Sequence, residues 1–168
     1  KNTELWSLYH HNRISKETLI VERFRYPLQR VGAYNDKLVL QLNADYLSVL
    51  SEQGELVPQA RELLDYLKSR SYRLHIISNG FKEVQFKKMK SAGIENYFEK
   101  IILSDEVGVN KPHPDIFRYA LNKTGSSKNT SLMIGDNYDA DILGAMRSGL
   151  DQVYFNPLQK QISDEFPT

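Results

Sequence analysis

The sequence contains no cysteine. That absence excludes a disulfide frame, a thiolate nucleophile and a cysteine-based metal site. No apolar run approaches the roughly 18 residues of a membrane-spanning helix, and no signal-peptide pattern opens the chain. A cytoplasmic protein without a membrane partner is the expectation. An excess of either charge is lacking as well: 22 basic side chains face 21 acidic ones, for a formal net charge of +1. No basic run is dense enough to track a phosphate backbone. The tightest cluster, Lys82 to Lys90, falls on an expected amphipathic helix and reads as its solvated face, so no nucleic-acid polymer is expected as a partner. Histidine is scarce, and His10, His11, His75 and His113 form no metal-binding pattern. His75 reads as a satisfied residue within a strand.

What is present is ordinary for a globular protein. The 168 residues are 40% apolar and 26% charged, and a chain of this size buries roughly 70% of its unfolded surface. Its character changes near Pro58. Before that point only helical patterns occur. Trp6 and Tyr9 share a face of a short opening helix. Ile20, Phe24, Leu28 and Val31 recur at helical spacing, with Pro27 predicting a kink or break. Val39, Leu42, Tyr46, Val49 and Leu50 form a clearer stripe, with Asn35 and Asp36 as caps and Gly54 beyond its end. Residues 1–57 are therefore expected to form a small helical subdomain.

From residue 58 onward, helices and strands alternate. Ala60, Leu63, Leu64 and Leu67 predict a helix packed on one side. Strands are expected at Tyr72–Ser78, Lys100–Ser104, Ser131–Gly135 and Val153–Phe155. Helices are expected at Phe81–Ala92, from Pro114 with Ile116, Phe117, Ala120 and Leu121 inward, and at Ala140–Ser148. Glycines close them at Gly93, Gly125 and Gly149. Apolar strands alternating with helices imply an α/β fold with a doubly wound parallel sheet, in which ligands bind at the carboxyl ends of strands.

Three features terminate those strands or follow them. Ser78-Asn79-Gly80 offers a hydroxyl, an amide and backbone N–H groups at a helix start, which suits either a phosphate site or a plain turn with an N-cap. Gly135-Asp136-Asn137-Tyr138-Asp139-Ala140-Asp141 places three carboxylates within six residues. Asp139 and Asp141 could simply favour a helix dipole, but Asp136 stands at the strand tip, where a carboxylate suits a hard cation such as Mg²⁺. Lys111 lies in Gly108-Val109-Asn110-Lys111-Pro112-His113-Pro114, a stretch stiffened by proline. A lysine held there can serve as a fixed positive charge.

In this order the three features resemble the haloacid dehalogenase superfamily. Ser78 in HIISNG matches its second motif, Lys111 in VNKPHPDIF its third, and Gly135, Asp136 and Asp141 its acidic fourth. SNGFKEVQ, GIENYFEKIILSDEVGVNKPHPDIFRYAL and IGDNYDADILGAMRSG are similar to the helical-cap branch, in particular the pyrimidine 5′-nucleotidase group, and LWSLYHHNRIS resembles that group's cap helices. The resemblance implies a Rossmann-like hydrolase core at 58–168 beneath a helical cap at 1–57. It implies Mg²⁺-dependent hydrolysis of a nucleotide or similar small phosphorylated metabolite through an aspartyl-phosphate. Ser78, Asn79, Gly80 and Lys111 would hold the phosphoryl group. Asp136 and Asp141 would serve the metal, and Trp6 in the cap would be a candidate for stacking on a base.

One motif of that superfamily, Asp-x-Asp-x-Thr/Val on the first strand, has no counterpart. Asp139-Ala140-Asp141 has the spacing but follows a Gly-Asp loop and leads into a helix. The family topology places the absent strand centrally, between those ending at Ser78 and Gly135, and expects a closing strand and helix after Thr168. The expectation is thus a fragment lacking its nucleophile and carrying unpaired sheet edges. Other readings are a dehalogenase proper, against which Gly135-Asp136 argues, a sugar-phosphate mutase, or a non-catalytic protein that binds a phosphorylated ligand or a partner.

Overall fold

The computed structural model describes residues 1–159 and 161. Three helices come first: α1 (Asn2–His10), α2 (Lys16–Arg30) and α3 (Asp36–Glu52). Ser15 and Asn35 cap α2 and α3 by accepting the N–H groups of Thr18 and Leu38, each satisfying a donor that a helix start leaves free. Helix α2 runs through Pro27 without the expected break. The proline sits in the last turn at an exposed position, where solvent can serve the Arg23 carbonyl that a proline leaves without a donor. The stripe expected on α3 is rotated. Val39 and Asn43 face inward and are buried, whereas Tyr46 and Val49 are exposed.

Beyond residue 58 the alternation is α4 (Ala60–Ser69), β1 (Leu74–Ser78), α5 (Lys82–Ser91), β2 (Phe98–Leu103), a single turn α6 (Ser104–Val107), α7 (Pro114–Thr124), β3 (Leu132–Gly135), α8 (Gly144–Arg147) and β4 (Asp151–Tyr154). The turn α6 has no counterpart in the sequence reading. The helix expected over Ala140–Ser148 is replaced by a π-helical segment, Tyr138–Leu143, running into α8. Its wider turn is visible in the bond from Ile142 N–H to the Asn137 carbonyl, five residues back. Such segments recur at functional sites. Pro114 occupies the first turn of α7, and Gly125 closes that helix in the left-handed conformation.

Both strand pairs are parallel, β1 with β2 and β3 with β4. Among the described residues β1 and β3 are not paired with each other. Helix α7 spans the two pairs. Ile116 and Phe117, both fully buried, join Ile102 of β2, Ala145 of α8 and Leu150 in one cluster, with Ile77 of β1 and Met133 of β3 packed against it. Burying one such side chain stabilises the fold by about 1.5–3 kcal/mol. This shared core holds the ends of β1 and β3 beside each other. Gly144 lets α8 approach it, since a Cβ there would lie 2.9 Å from the Phe117 ring. A second cluster packs Leu5, Tyr9 and Leu19 against Phe81 and Val84 of the α5 region.

Elsewhere apolar surface is open. The α4 stripe is not covered as expected: no α4 residue is buried, and Leu63 is exposed. On β3 and β4, Leu132, Ile134 and Val153 alternate outward and remain exposed. No helix among the described residues is long and apolar enough to cross a membrane.

His75 departs from its expected role. It lies within β1, but neither ring nitrogen has a hydrogen-bond partner. Burial pulls its pKa below the usual imidazole range, with Glu99 opposing and Arg73 and Lys100 reinforcing the shift. The unfolded chain therefore takes up this proton first on acidification, and stability falls as pH drops from the ordinary imidazole value toward the lowered one. Urea denaturation between pH 7.5 and 5 should show this slope, and His75→Leu should reduce it. An unchanged slope would remove His75 from the account.

Candidate active site at the strand ends

The end of β1, the Lys111 loop and the π-helical segment after β3 meet at one rim. Lys111 is the hub. Its ammonium donates to Asp141 Oδ1 at 2.6 Å and to the Ile77 carbonyl at 2.7 Å. Lysine and aspartate are 8% and 5% exposed. At that depth a lone charge is strongly disfavoured, so each ion requires the other. The second carboxylate oxygen of Asp141 accepts the Asn137 N–H at 3.1 Å. Both oxygens of Asp141 thus already have protein donors, and its observed role is to hold Lys111.

Asn79 fixes the lysine from the backbone side. Its amide nitrogen donates to the Lys111 carbonyl and its amide oxygen accepts the Lys111 N–H, both at 2.8 Å. The Asn79 side chain is thereby committed to Lys111. Ser78 Oγ accepts the Gly80 N–H at 3.0 Å. Ser78, Asn79 and Gly80 therefore form a tight turn directly beside the lysine, since Ile77, whose carbonyl binds Lys111, immediately precedes Ser78.

Asp136 is different in kind. It is exposed, and no hydrogen bond or ion pair to its carboxylate is recorded among the described residues. Among those residues no group of three potential ligands is assembled. A magnesium ion uses one or two carboxylates and keeps several waters or takes substrate oxygens. A single free carboxylate near a buried lysine fits that habit, and Asp136 fits better than Asp141, whose oxygens are already engaged. Gly135 is required here for space: a Cβ on it would lie 2.4 Å from Asp141 Cβ and Oδ2. Gly135→Ala should displace Asp141 from Lys111 and cost about 1–3 kcal/mol, as overpacking does, measurable by urea denaturation. A wild-type midpoint would show that the loop can absorb the methyl group.

The helices before residue 58 also reach this rim. His11 Nε2 lies 3.2 Å from Asp139 Oδ2, while His11 Nδ1 lies 2.9 Å from the Ser7 carbonyl. His10 is nearby, and burial followed by the Lys111 charge lowers its pKa below the imidazole norm. Trp6 stands slightly apart. It is half-buried, stacked on Phe81 with ring centres 5.9 Å apart and edge-on to Tyr9. That packing accounts for the tryptophan without a ligand. Sequence reasoning missed the Asn79 clamp and the His11–Asp139 contact, because their partners lie 32 residues or more away and leave no local pattern.

The chain that carries this arrangement has known relatives. A family model described as haloacid dehalogenase-like hydrolase matches residues 15–155. The chain belongs to the haloacid dehalogenase-like hydrolase family. Among curated relatives, the pyrimidine 5′-nucleotidase YjjG of Escherichia coli is 32% identical over 156 residues, covering 92% of this chain and 67% of the relative. A glyceraldehyde 3-phosphate phosphatase of Pyrococcus abyssi is 38% identical over 133 residues, covering 79% and 56% respectively. The chain thus spans about two thirds of the first relative and little more than half of the second. Among solved structures, the HAD-hydrolase YfnB of Bacillus subtilis, described as bound to magnesium and showing interdomain movement, superposes with a TM-score of 0.89 at 29% identity. That match covers 97% of this chain and 72% of that one. Ser78, Lys111, Asp136 and Asp141 all fall within the haloacid dehalogenase-like segment.

Proposed function

We propose that this chain provides the phosphate- and metal-binding side of a magnesium-dependent phosphomonoesterase, acting on a nucleotide or similar small phosphorylated metabolite. One observation carries the reading: a buried lysine, locked by Asp141, Ile77 and Asn79, stands beside the Ser78 turn and an unengaged Asp136. The activities of two relatives, a pyrimidine 5′-nucleotidase and a glyceraldehyde 3-phosphate phosphatase, are of the same class.

In this reading an aspartate carboxylate attacks phosphorus, and the ester oxygen leaves as an alcohol after taking up a proton. Water then cleaves the aspartyl-phosphate to inorganic phosphate and restores the carboxylate, so one hard displacement becomes two easier ones. The attacking aspartate would come from an Asp-x-Asp-x-Thr/Val segment, which these 168 residues do not contain. Lys111 neutralises charge building on the phosphoryl oxygens. Two unit charges ~4 Å apart interact by about 4 kcal/mol at an effective dielectric of 20. Ser78 Oγ and the Asn79 and Gly80 N–H groups orient those oxygens, with Gly80 exchanging its bond to Ser78 for one to the anion. Asp136 would hold Mg²⁺, whose bound chemistry is to offset negative charge on the transferring group. Residues 1–57 act as a cap that shields the reaction from bulk solvent while leaving room for the water of the second step.

The test is an assay of the complete reading frame containing these residues, on p-nitrophenyl phosphate and nucleoside monophosphates, with Mg²⁺ or with EDTA. Phosphate release that requires Mg²⁺ is expected. Halide release from 2-haloacids undiminished by EDTA would instead favour a dehalogenase. Binding of phosphate without turnover would favour a non-catalytic role.

A further inference from the structure

His10, the last residue of α1, is fastened over the rim by its chain neighbours on either side. Before it, the Tyr9 carbonyl accepts the Asn110 side-chain N–H at 2.7 Å, and the same amide donates to Asn12 Oδ1 at 3.1 Å. Asn110 is 4% exposed and directly precedes Lys111. After it, His11 Nε2 lies 3.2 Å from Asp139 Oδ2, on the segment that carries Asp141. The end of α1 is therefore tied to both chain segments that supply the buried Lys111–Asp141 pair. His10 lies between the two ties, close enough for the charges of both Lys111 and Asp141 to act on its ring.

The ring is also oriented. It leans on Trp6, with centres 5.7 Å apart and planes at 53°, and on Tyr9 at 6.4 Å. His10 is half-buried, and no hydrogen bond to either ring nitrogen is recorded among the described residues. Neither nitrogen is shut off from the surface, unlike those of His75. Burial and the Lys111 charge keep the ring neutral near pH 7, so it offers one N–H donor and one acceptor nitrogen. A neutral ring is not the clamp for a phosphate. Lys111 suits that task, because Asp141 and the Ile77 carbonyl occupy only two of its three ammonium donors. The imidazole suits a hydroxyl, which can donate to it or accept from it.

We propose that His10 is a specificity residue of this site, which hydrogen-bonds a hydroxyl on the organic half of the substrate and so favours hydroxylated phosphate monoesters. The assignment rests on the phosphatase reading. No bond is made or broken at the imidazole. The contact orients the leaving group while Lys111 meets the phosphoryl oxygens, and such a contact acts mainly on binding.

Steady-state kinetics of the complete protein with Mg²⁺ on two esters of equal chain length, glycerol 3-phosphate and n-propyl phosphate, test the assignment. The wild type should favour glycerol 3-phosphate by about tenfold in kcat/KM, the size of one net hydrogen bond. His10→Ala should remove most of that preference, chiefly by raising KM for glycerol 3-phosphate. His10→Gln keeps a donor and an acceptor and should recover part of it. The assignment is overturned if the wild type shows no preference, if His10→Ala lowers both esters equally, as lost packing on Trp6 would, or if His10→Gln recovers nothing. Absence of Mg²⁺-dependent release from p-nitrophenyl phosphate by the wild type would sink the phosphatase reading and this assignment together. Release retained there, with any of the three failures above, would overturn the assignment alone.

Discussion

Replacing Lys111 with methionine is expected to destabilise the protein by about 3–5 kcal/mol and to abolish phosphate release. The two effects have different origins. The stability loss arises because Asp141, 5% exposed, keeps its charge but loses the ammonium 2.6 Å away. An uncompensated charge at that depth costs more than the intact pair contributed. The loss of turnover arises because the ammonium that Asp141 and the Ile77 carbonyl hold at the rim is gone. A double variant, Lys111→Met with Asp141→Leu, separates the two. It should regain most of the stability, since an apolar pair of similar volume replaces a buried ion pair, while phosphate release stays lost. Urea denaturation and steady-state assay of both variants give the comparison. Lys111→Met at wild-type stability would mean that water already reaches the pair, and the lysine would then not be the fixed charge described above.

Asp136→Asn should give the opposite pattern. Its carboxylate is exposed and no protein partner is recorded for it, so the fold should be unchanged within about 0.5 kcal/mol. Phosphate release by the complete protein should fall by about 10²–10³, the size of effect seen when one preorganised electrostatic contact is removed, and the Mg²⁺ concentration for half-maximal rate should rise. Asp141→Asn should instead lower stability and rate together, because that carboxylate holds the lysine. If Asp136→Asn retained the wild-type magnesium dependence, the metal assignment would move elsewhere on the rim.

Much of the fold was legible because it is written in short-range patterns. The β1 run LHIIS, the i, i+3, i+4 stripe of α7 and the glycine that closes it each need only their neighbours to be recognised. The family likeness was legible for the same reason: each motif is a compact string at a strand end. Failures came where a residue's fate depends on distant packing. The stripes on α3 and α4 contain the right residue types, but Val49 and Leu63 are exposed because no described element covers them. Pro27 warned of a break that its place in an exposed last turn made unnecessary. The π-helical segment widens the helix expected at Ala140, which no local propensity marks.

The sequence by itself determined the alternation of helices and strands, the parallel pairing and the chemical types gathered at the strand ends. Periodicity and turn chemistry are local properties of a chain. Only the tertiary structure decided which of those groups is spent and which is free. Asn79 and Asp141 are consumed in holding Lys111, Asp136 is left open, and Trp6 is packed on Phe81. Hydrogen-bond capacity and burial are shared among residues far apart in sequence, and α7 and its core bring them together.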